Sequence, residues 1–329
     1  MHFKDLLRHR QAWLGIALLL IMLYHLPISL GLIDYLKVVS YGGVDICFFA
    51  SGVGCCYSLT KDSDVGNFIK RRLKRMMPTY MIVTAVWLIL QYISGNFGTR
   101  MALGNLLVLQ HFSGHPNAFN WYFSAALLFY FLAPYFKIIV DRASPVCKYL
   151  FPLFLLVCSI PFWWTDTYII TAARLPIFYT GMLFADLCQQ SKRISGKHVI
   201  CATGSFLAGV ASLAVFSRWF PQHLWSCGLF WYPFILITPP LCMAISCFMI
   251  LTEKLNVIKP IGSFLSLCGA YSLELAVIHV FLFALIPYCI ERFGLFDFTG
   301  FIWAAGIIPL VAGCYILRRL TLQFNRLFK

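Results

Sequence analysis

The 329-residue chain is 60% hydrophobic and only 12% charged, whereas soluble domains are roughly 45–50% apolar and about 25% charged. A water-soluble fold of this length could not bury so much apolar surface, so a membrane must form part of its solvent. The formal net charge is +14. Basic residues collect on the cytoplasmic side of membrane proteins, so nucleic-acid binding is not needed to explain that charge.

The apolar segments are long enough to cross a bilayer as helices. A hydrocarbon core about 30 Å thick requires roughly 20 helical residues per crossing. The predicted spans are, in chain order, residues 12–30, 42–60, 77–95, 119–137, 149–165, 170–189, 198–217, 228–251, 262–289 and 299–318. The loops between them are short, and no linker or internal repeat is evident. We therefore predict an all-α membrane protein, a bundle of about ten transmembrane helices in a single domain over residues 1–329.

Lysine and arginine residues are divided unevenly between alternate loops. With the N-terminus placed inside, 21 of the 26 fall in segments on the cytoplasmic side. The remaining five, on the outer side, are Lys37, Arg100, Arg174, Arg218 and Arg292. Because cytoplasmic segments are enriched in basic residues, we predict that both termini are cytoplasmic and that the number of spans is even.

Two ionisable residues lie at similar predicted depth in the first two spans. His25 is close to the outer end of span 1, and Asp45 is close to the outer start of span 2. Ionisable side chains inside a membrane are costly and are commonly functional. An aspartate beside a histidine would hold the imidazole in one tautomer, as a general base requires. A purely structural hydrogen bond between spans 1 and 2 is equally consistent with the sequence.

Further ionisable residues are predicted in the outer half of the membrane. Arg174 lies near the outer start of span 6, and Glu274 and His279 lie well inside span 9. Together with His25 and Asp45 they indicate a polar cavity that opens outward. Taken singly, each could instead be a satisfied buried group or a side chain that extends to the interface.

A basic run, FIKRRLKRMMPTY at residues 68–80, precedes span 3 on the predicted cytoplasmic side. On a helix, Arg71 and Arg75 share a face and Arg72 lies beside Arg75. Guanidinium groups bind phosphates through paired hydrogen bonds, so the run is a candidate phosphate site. The alternative is an anchor that contacts anionic lipid headgroups, although six basic residues in segment 61–76 exceed what anchoring requires.

Four segments, in this order, resemble the acyltransferase-3 family of integral-membrane O-acyltransferases. They are GIALLLIMLYH, which ends in His25; GGVDICFFASGVGCCYSL, with Asp45; the basic run RRLKRMMPTY; and LCGAYSLELAVIHVF, with Tyr271, Glu274 and His279. Two softer matches are NWYFSAALLFYFLAP, with Trp121, and ARLPIFYTGML, with Arg174. Two positions depart from the family pattern: an arginine of many members is Leu14 here, where Arg10 could replace it, and a glutamate is Ala126.

The resemblance implies a metal-free acyltransferase of the bacterial inner membrane. Its donor would be acetyl-coenzyme A or another acyl-coenzyme A from the cytoplasm, and its acceptor a hydroxyl of a cell-surface or lipid-linked glycan. The implied roles are catalysis by His25 and Asp45, donor binding by Arg71, Arg72 and Arg75, and pore lining or substrate positioning by Trp121, Arg174, Tyr271, Glu274 and His279.

The main alternative is a transporter, flippase or polymerase of lipid-linked sugars. An outer polar cavity could bind a glycan without any acyl chemistry. Such a protein has no need of a phosphate-binding cluster at the inner face, and transporters commonly carry paired broken helices in two repeated halves. The sequence shows no such repeat, which favours the acyltransferase.

Overall fold

The computed structural model describes residues 2–27, 31, 34–113, 121–190 and 193–327. Within these ranges every regular element is helical, apart from one isolated bridge between His2 and Arg193. The α-helices are α1 Phe3–Leu7, α2 Arg10–His25, α3 Asp34–Ser40, α4 Gly43–Lys61, α5 Val65–Ile93, α6 Thr99–Leu106, α7 Trp121–Arg142, α8 Pro145–Val157, α9 Asp166–Ala172, α10 Leu175–Gln189, α11 Gly196–Trp219, α12 Phe234–Lys254, α13 Lys259–Ala270, α14 Ser272–Phe293, α15 Thr299–Ala305 and α16 Ile307–Leu327.

The predicted all-α membrane bundle is confirmed. In the described part of the chain, nine helical segments are long and apolar enough to cross a membrane. Helix α2 is apolar as well but has only 16 residues, slightly fewer than the roughly 17–25 that a span requires. Helices are the expected solution because lipid offers no hydrogen-bond partner to the backbone. The cytoplasmic position of both termini stays a prediction.

Three predicted boundaries were wrong in ways that affect the site. Span 1 was expected over 12–30, but its helix ends at His25, and residues 28–30 lie outside the described ranges. Span 9 was expected to run unbroken over 262–289, but it is interrupted at Tyr271 between α13 and α14. The segment 61–76 was expected as a loop, but α5 begins at Val65 and continues through Pro78 to Ile93.

The chain forms two compact units, each assembled from three stretches. Unit 1 comprises Met1–Ala17, Gly42–Ile69 and Ala125–Ala270. Unit 2 comprises Leu18–Tyr41, Lys70–Ser124 and Tyr271–Lys329. The predicted site residues Asp45 and Arg174 belong to unit 1, whereas the other eight belong to unit 2.

Unit 1 is held together by helices whose backbones approach closely at glycine. A Cβ atom added to Gly52 of α4 would lie 2.0 Å from the carbonyl oxygen of Phe178 on α10. Reciprocally, one added to Gly181 of α10 would lie 2.2 Å from the carbonyl oxygen of Phe49. Small residues allow this approach, and van der Waals contact then replaces the hydrophobic effect as the force that joins helices in lipid.

We expect Gly52→Ala to destabilise the protein by about 1–3 kcal/mol, the usual cost of overpacking, because the added methyl group meets backbone that cannot rotate away. Thermal unfolding in detergent measures the change. Gly204→Ala on α11 is the matched control, because nothing lies within 4 Å of a Cβ atom added there. Equal unfolding midpoints for the two variants would contradict the close α4–α10 packing.

Unit 2 contains a hydrogen-bonded contact between helices distant in sequence. The hydroxyl groups of Thr79 on α5 and Thr321 on α16 lie 3.2 Å apart, and both residues are buried. Tyr80 donates a hydrogen bond of 2.6 Å to the carbonyl oxygen of Asn105 on α6. These contacts set the register of α5, which carries the basic residues, against its neighbours in unit 2.

Candidate active site

Two histidines from opposite ends of the chain meet in unit 2. His25 is the last residue of α2, and His279 lies in the second turn of α14. Nδ1 of His25 lies 3.3 Å from Nε2 of His279, and the ring centroids are 5.2 Å apart. His279 is 1% exposed, whereas His25 is half-buried. The sequence predicted both residues as part of a site but did not pair them.

Backbone carbonyls determine which nitrogen of each ring carries hydrogen. Nδ1 of His279 is 2.6 Å from the Leu275 carbonyl oxygen, and Nδ1 of His25 is 2.9 Å from that of Ile21. A carbonyl oxygen only accepts hydrogen bonds, so both Nδ1 atoms are donors. Nε2 of neutral His279 is then an acceptor for the Nδ1–H of His25. The basic nitrogen of His25 is therefore Nε2, as the hydrogen bond to the other ring nitrogen requires.

Asp45 forms an ion pair within unit 1. Its carboxylate lies 3.7 Å from Nε of Arg174, and the side chains are 1% and 0% exposed. Asp45 is in the first turn of α4, where the helix dipole favours a negative charge. The observed partner of Asp45 is thus Arg174, which the sequence analysis predicted in the same polar cavity. The predicted pairing of Asp45 with His25 stays a prediction, because the two residues belong to different units.

Besides its ion pair with Asp45, Arg174 makes two further contacts. It lies at the start of α10, donates a hydrogen bond of 2.8 Å to the Ile170 carbonyl oxygen, and lies 4.8 Å from the ring centroid of Trp231. A buried guanidinium group is costly unless it is paired in this way. Within unit 1 these contacts tie α4 and α10 to the segment that precedes α12.

The three basic residues predicted to bind the donor lie on a single helix. Arg71, Arg72 and Arg75 all belong to α5. Arg71 and Arg75 are exposed and Arg72 is half-buried. The helical spacing that the prediction required is therefore present, and the guanidinium groups of Arg71 and Arg75 extend from the same face.

Glu274 was predicted in the outer half of the membrane, and this depth stays a prediction. Because the helix is broken at Tyr271, Glu274 lies in the first turn of α14. Glu274 is 8% exposed, and the five residues from it to His279 correspond to about 7.5 Å of helical rise.

Tyr271, at the break, is covered by a residue that the sequence analysis missed. The guanidinium carbon of Arg318, on α16, lies 4.2 Å from the Tyr271 ring centroid. In the sequence, Arg318 was one of several basic residues in a C-terminal segment that looked like an ordinary positive-inside tail. The amino-acid sequence alone contains nothing that distinguishes Arg318 from its neighbour Arg319.

Trp121 begins α7, and its ring contacts another histidine. The centroid of the His111 ring lies 6.3 Å from that of Trp121. Burial lowers the pKa of His111 to about 4, so its imidazole is neutral at neutral pH. On α7, Ser124 donates a hydrogen bond of 2.7 Å to the Val108 carbonyl oxygen. These contacts join Trp121 to the segment 108–113 in unit 2.

Comparison with known proteins supplies the family. A family model described as an acyltransferase domain matches residues 14–319 of the chain. No match was found among curated proteins, and none among solved structures. The matched range contains every site residue discussed above, including Arg318. The protein is therefore a multi-pass membrane acyltransferase, and it belongs to the acyltransferase-3 family.

Proposed function

We propose that the protein transfers an acyl group from acyl-coenzyme A to a hydroxyl of a cell-surface or lipid-linked glycan. The acyl group that we propose is acetyl. The observation that carries the proposal is the His25–His279 pair, which leaves a basic nitrogen with a defined orientation on a half-buried histidine. The proposed location is the bacterial inner membrane, which agrees with the strong bias of basic residues toward one side.

His25 acts as the general base in this proposal. Its Nε2 accepts the proton of the acceptor hydroxyl while the hydroxyl oxygen bonds to the thioester carbonyl carbon. The carbon–sulfur bond breaks, and His25 returns the proton to the departing thiolate. The products are the acyl ester and free coenzyme A, so atoms and charge balance. Ile21 and His279 hold the Nδ1–H throughout, which keeps Nε2 available.

Arg71, Arg72 and Arg75 bind the phosphates of the donor. Three guanidinium groups within five residues of one helix suit an anion with several phosphate oxygens. Helix α16 contacts α5 through Thr321 and Thr79, one turn after Arg75, and its Arg318 lies 4.2 Å from the Tyr271 ring centroid at the start of α14. Helix α14 then reaches His279 beside His25. A long flexible donor held at the basic residues could therefore extend along this helix toward His25. Asp45 is proposed to support catalysis and Arg174, Tyr271 and Trp121 to position substrate.

Calorimetric titration of the detergent-purified protein with acetyl-coenzyme A tests the donor. Arg71→Ala/Arg75→Ala is expected to weaken binding by roughly 100-fold or more, because each lost hydrogen bond to a charged group is worth about 1.5–3 kcal/mol. Arg292→Ala is the control, since Arg292 is exposed in the last turn of α14, far from Glu274. A folded wild-type protein that binds no acyl-coenzyme A would overturn the proposed donor.

A further inference from the structure

Helix α6 turns back along α5 within unit 2. It follows the end of α5 at Ile93, yet Tyr80, near the middle of α5, donates a hydrogen bond of 2.6 Å to the Asn105 carbonyl oxygen on α6. Ile93 lies 13 residues after Tyr80, which is about 20 Å of helical rise. Helix α5 is long and apolar enough to cross a membrane, whereas the eight residues of α6 are too few. Helix α6 is therefore a re-entrant helix that reaches membrane depth without crossing.

The turn that ends α6 has an unfavourable residue at its central position. The N–H of Leu109 donates a hydrogen bond of 2.8 Å to the Gly104 carbonyl oxygen, and the N–H of Val108 one of 3.0 Å to that of Asn105. These two bonds form a Schellman motif, which usually has glycine where Val108 stands. The φ angle of Val108 is 61°, and β-branched residues rarely adopt this left-handed conformation because the Cβ atom meets the backbone. The turn is therefore strained.

Contacts with the start of α7 hold the strained turn in place. Ser124 donates a hydrogen bond of 2.7 Å to the Val108 carbonyl oxygen, and the two residues are 2% and 3% exposed. Beside Ser124, the Phe123 ring packs on that of Tyr80, with 4.9 Å between the centroids. A strained conformation persists only where the surrounding structure imposes it, and such conformations collect at functional sites, including ligand clamps.

The same contacts fix the position of Trp121, the first residue of α7. Ser124 lies three residues after Trp121, so its hydrogen bond to Val108 holds the first turn of the helix. His111, three residues after Val108, is buried, and its ring centroid lies 6.3 Å from that of Trp121, within the range of favourable aromatic pairs. Trp121 is half-buried, so part of its surface is accessible.

The polar character of this re-entrant segment suits a ligand rich in hydroxyl groups. Asn105, Gln110 and His111 are 0%, 4% and 0% exposed. Irregular backbone occurs at membrane depth only where protein buries it or where it lines a water-filled cavity. A glycan requires such a cavity because its hydroxyl groups must stay hydrogen-bonded, and an aromatic ring packs on the apolar C–H face of a sugar. The pair of His25 and His279 belongs to the same unit.

We propose that the strained turn at Val108, held by Ser124, positions Trp121 to bind a sugar ring of the acceptor. The proposal rests on the proposed function, since it takes a glycan as the acceptor. It adds Val108 and Ser124 as positioning residues that act through Trp121. A tryptophan that only anchors α7 at the membrane interface, an ordinary role of this residue, would not influence the use of the acceptor.

Ser124→Ala is expected to weaken acceptor binding selectively. Val108 can then leave the left-handed region, and the acceptor concentration at half-maximal rate should rise roughly 3–10-fold, the effect of one aromatic contact. Turnover at saturating acceptor and the binding of acetyl-coenzyme A should stay unchanged. Adding Val108→Gly to Ser124→Ala should reverse the rise, because glycine adopts a positive φ without strain and keeps the turn without the hydrogen bond.

The assay follows the transfer of radioactive acetyl from acetyl-coenzyme A to envelope glycans, both polymeric and lipid-linked, extracted from cells that lack this protein. The full chain is purified in detergent, and thermal unfolding is recorded for each variant. Ser212→Ala on α11 is the matched control, because the exposed Ser212 also donates a hydrogen bond of 2.7 Å to a carbonyl oxygen, that of Ala208. Should Ser124→Ala fail to fold, Ser124→Cys keeps a weak donor, and a smaller rise is expected.

Trp121→Leu shows whether Ser124 acts through Trp121. It should raise the same acceptor concentration, and adding Ser124→Ala should raise it no further, since coupled residues are not additive. An unchanged concentration in folded Ser124→Ala, or a rise that persists in full beside Trp121→Leu, overturns the role of the turn while the glycan acceptor stands. Folded wild-type protein that transfers no acetyl group to these glycans overturns the proposed acceptor, and this site with it.

Discussion

Replacing His25 by alanine is expected to lower the turnover rate by about 10²–10⁴-fold, the range typical of a lost general base. Alanine removes the Nε2 atom that takes the hydroxyl proton, while the phosphate-binding residues remain. Acetyl-coenzyme A binding should therefore change little. An acyl-transfer assay on detergent-purified protein, combined with calorimetry on the same preparation, measures the two effects separately.

His279 and a distant histidine provide the comparison for this variant. His279→Leu removes the acceptor at 3.3 Å but leaves the Ile21 carbonyl oxygen at 2.9 Å, so its loss of turnover should be smaller than that of His25→Ala. His223→Ala, in the short helix Pro221–His223 of unit 1, should leave turnover unchanged. Full turnover by a folded His25→Ala protein would mean that another group accepts the proton.

Arg174→Met is expected to destabilise the protein by about 3–5 kcal/mol, the usual effect of removing one partner of a buried ion pair. The Asp45 carboxylate would remain 1% exposed with no cation beside it. The Trp231 ring would also lose the guanidinium group 4.8 Å away. Chemical denaturation in mixed micelles, followed by tryptophan fluorescence, measures the loss.

The double variant Arg174→Met/Asp45→Asn removes both charges and should recover much of that loss, because no uncompensated charge is left. Arg8→Met is the surface control. Arg8 pairs with Glu253, and the two side chains are 66% and 48% exposed, so a loss of only about 0.2–1 kcal/mol is expected. Equal stability of Arg174→Met and wild type would show that the ion pair does not hold α4 to α10.

Much of the fold could be predicted because lipid restricts the choices of the chain. Apolar stretches of span length must be helical, since no other single segment satisfies its own backbone in a membrane. The breaks were harder to predict. Nothing in the apolar pattern of 262–289 marks Tyr271 as an interruption, and nothing in residues 61–76 marks Val65 as the start of α5. Packing against neighbouring helices decides such positions.

In the candidate site too, the sequence identified most of the residues but not the contacts that they make. The high cost of ionisable groups in a membrane identified His25, Asp45, Glu274 and His279 as candidates. It did not identify Arg318, because a basic residue near the end of a predicted span is ordinary in the sequence. Only its contact with the Tyr271 ring distinguishes Arg318 from Arg319, which contacts Tyr315 instead.

The sequence by itself determined that this protein is an all-α membrane protein with a small set of ionisable residues in its spans. Apolar composition and apolar segments of span length are enough for this conclusion, because lipid leaves the backbone no alternative to a helix. The tertiary structure alone decided how those residues pair. His25 meets a residue 254 positions away, and Asp45 meets Arg174. A buried charge or imidazole requires a partner, but any complementary group satisfies that requirement. Which one does so depends on helix packing, and the linear order of residues does not contain it.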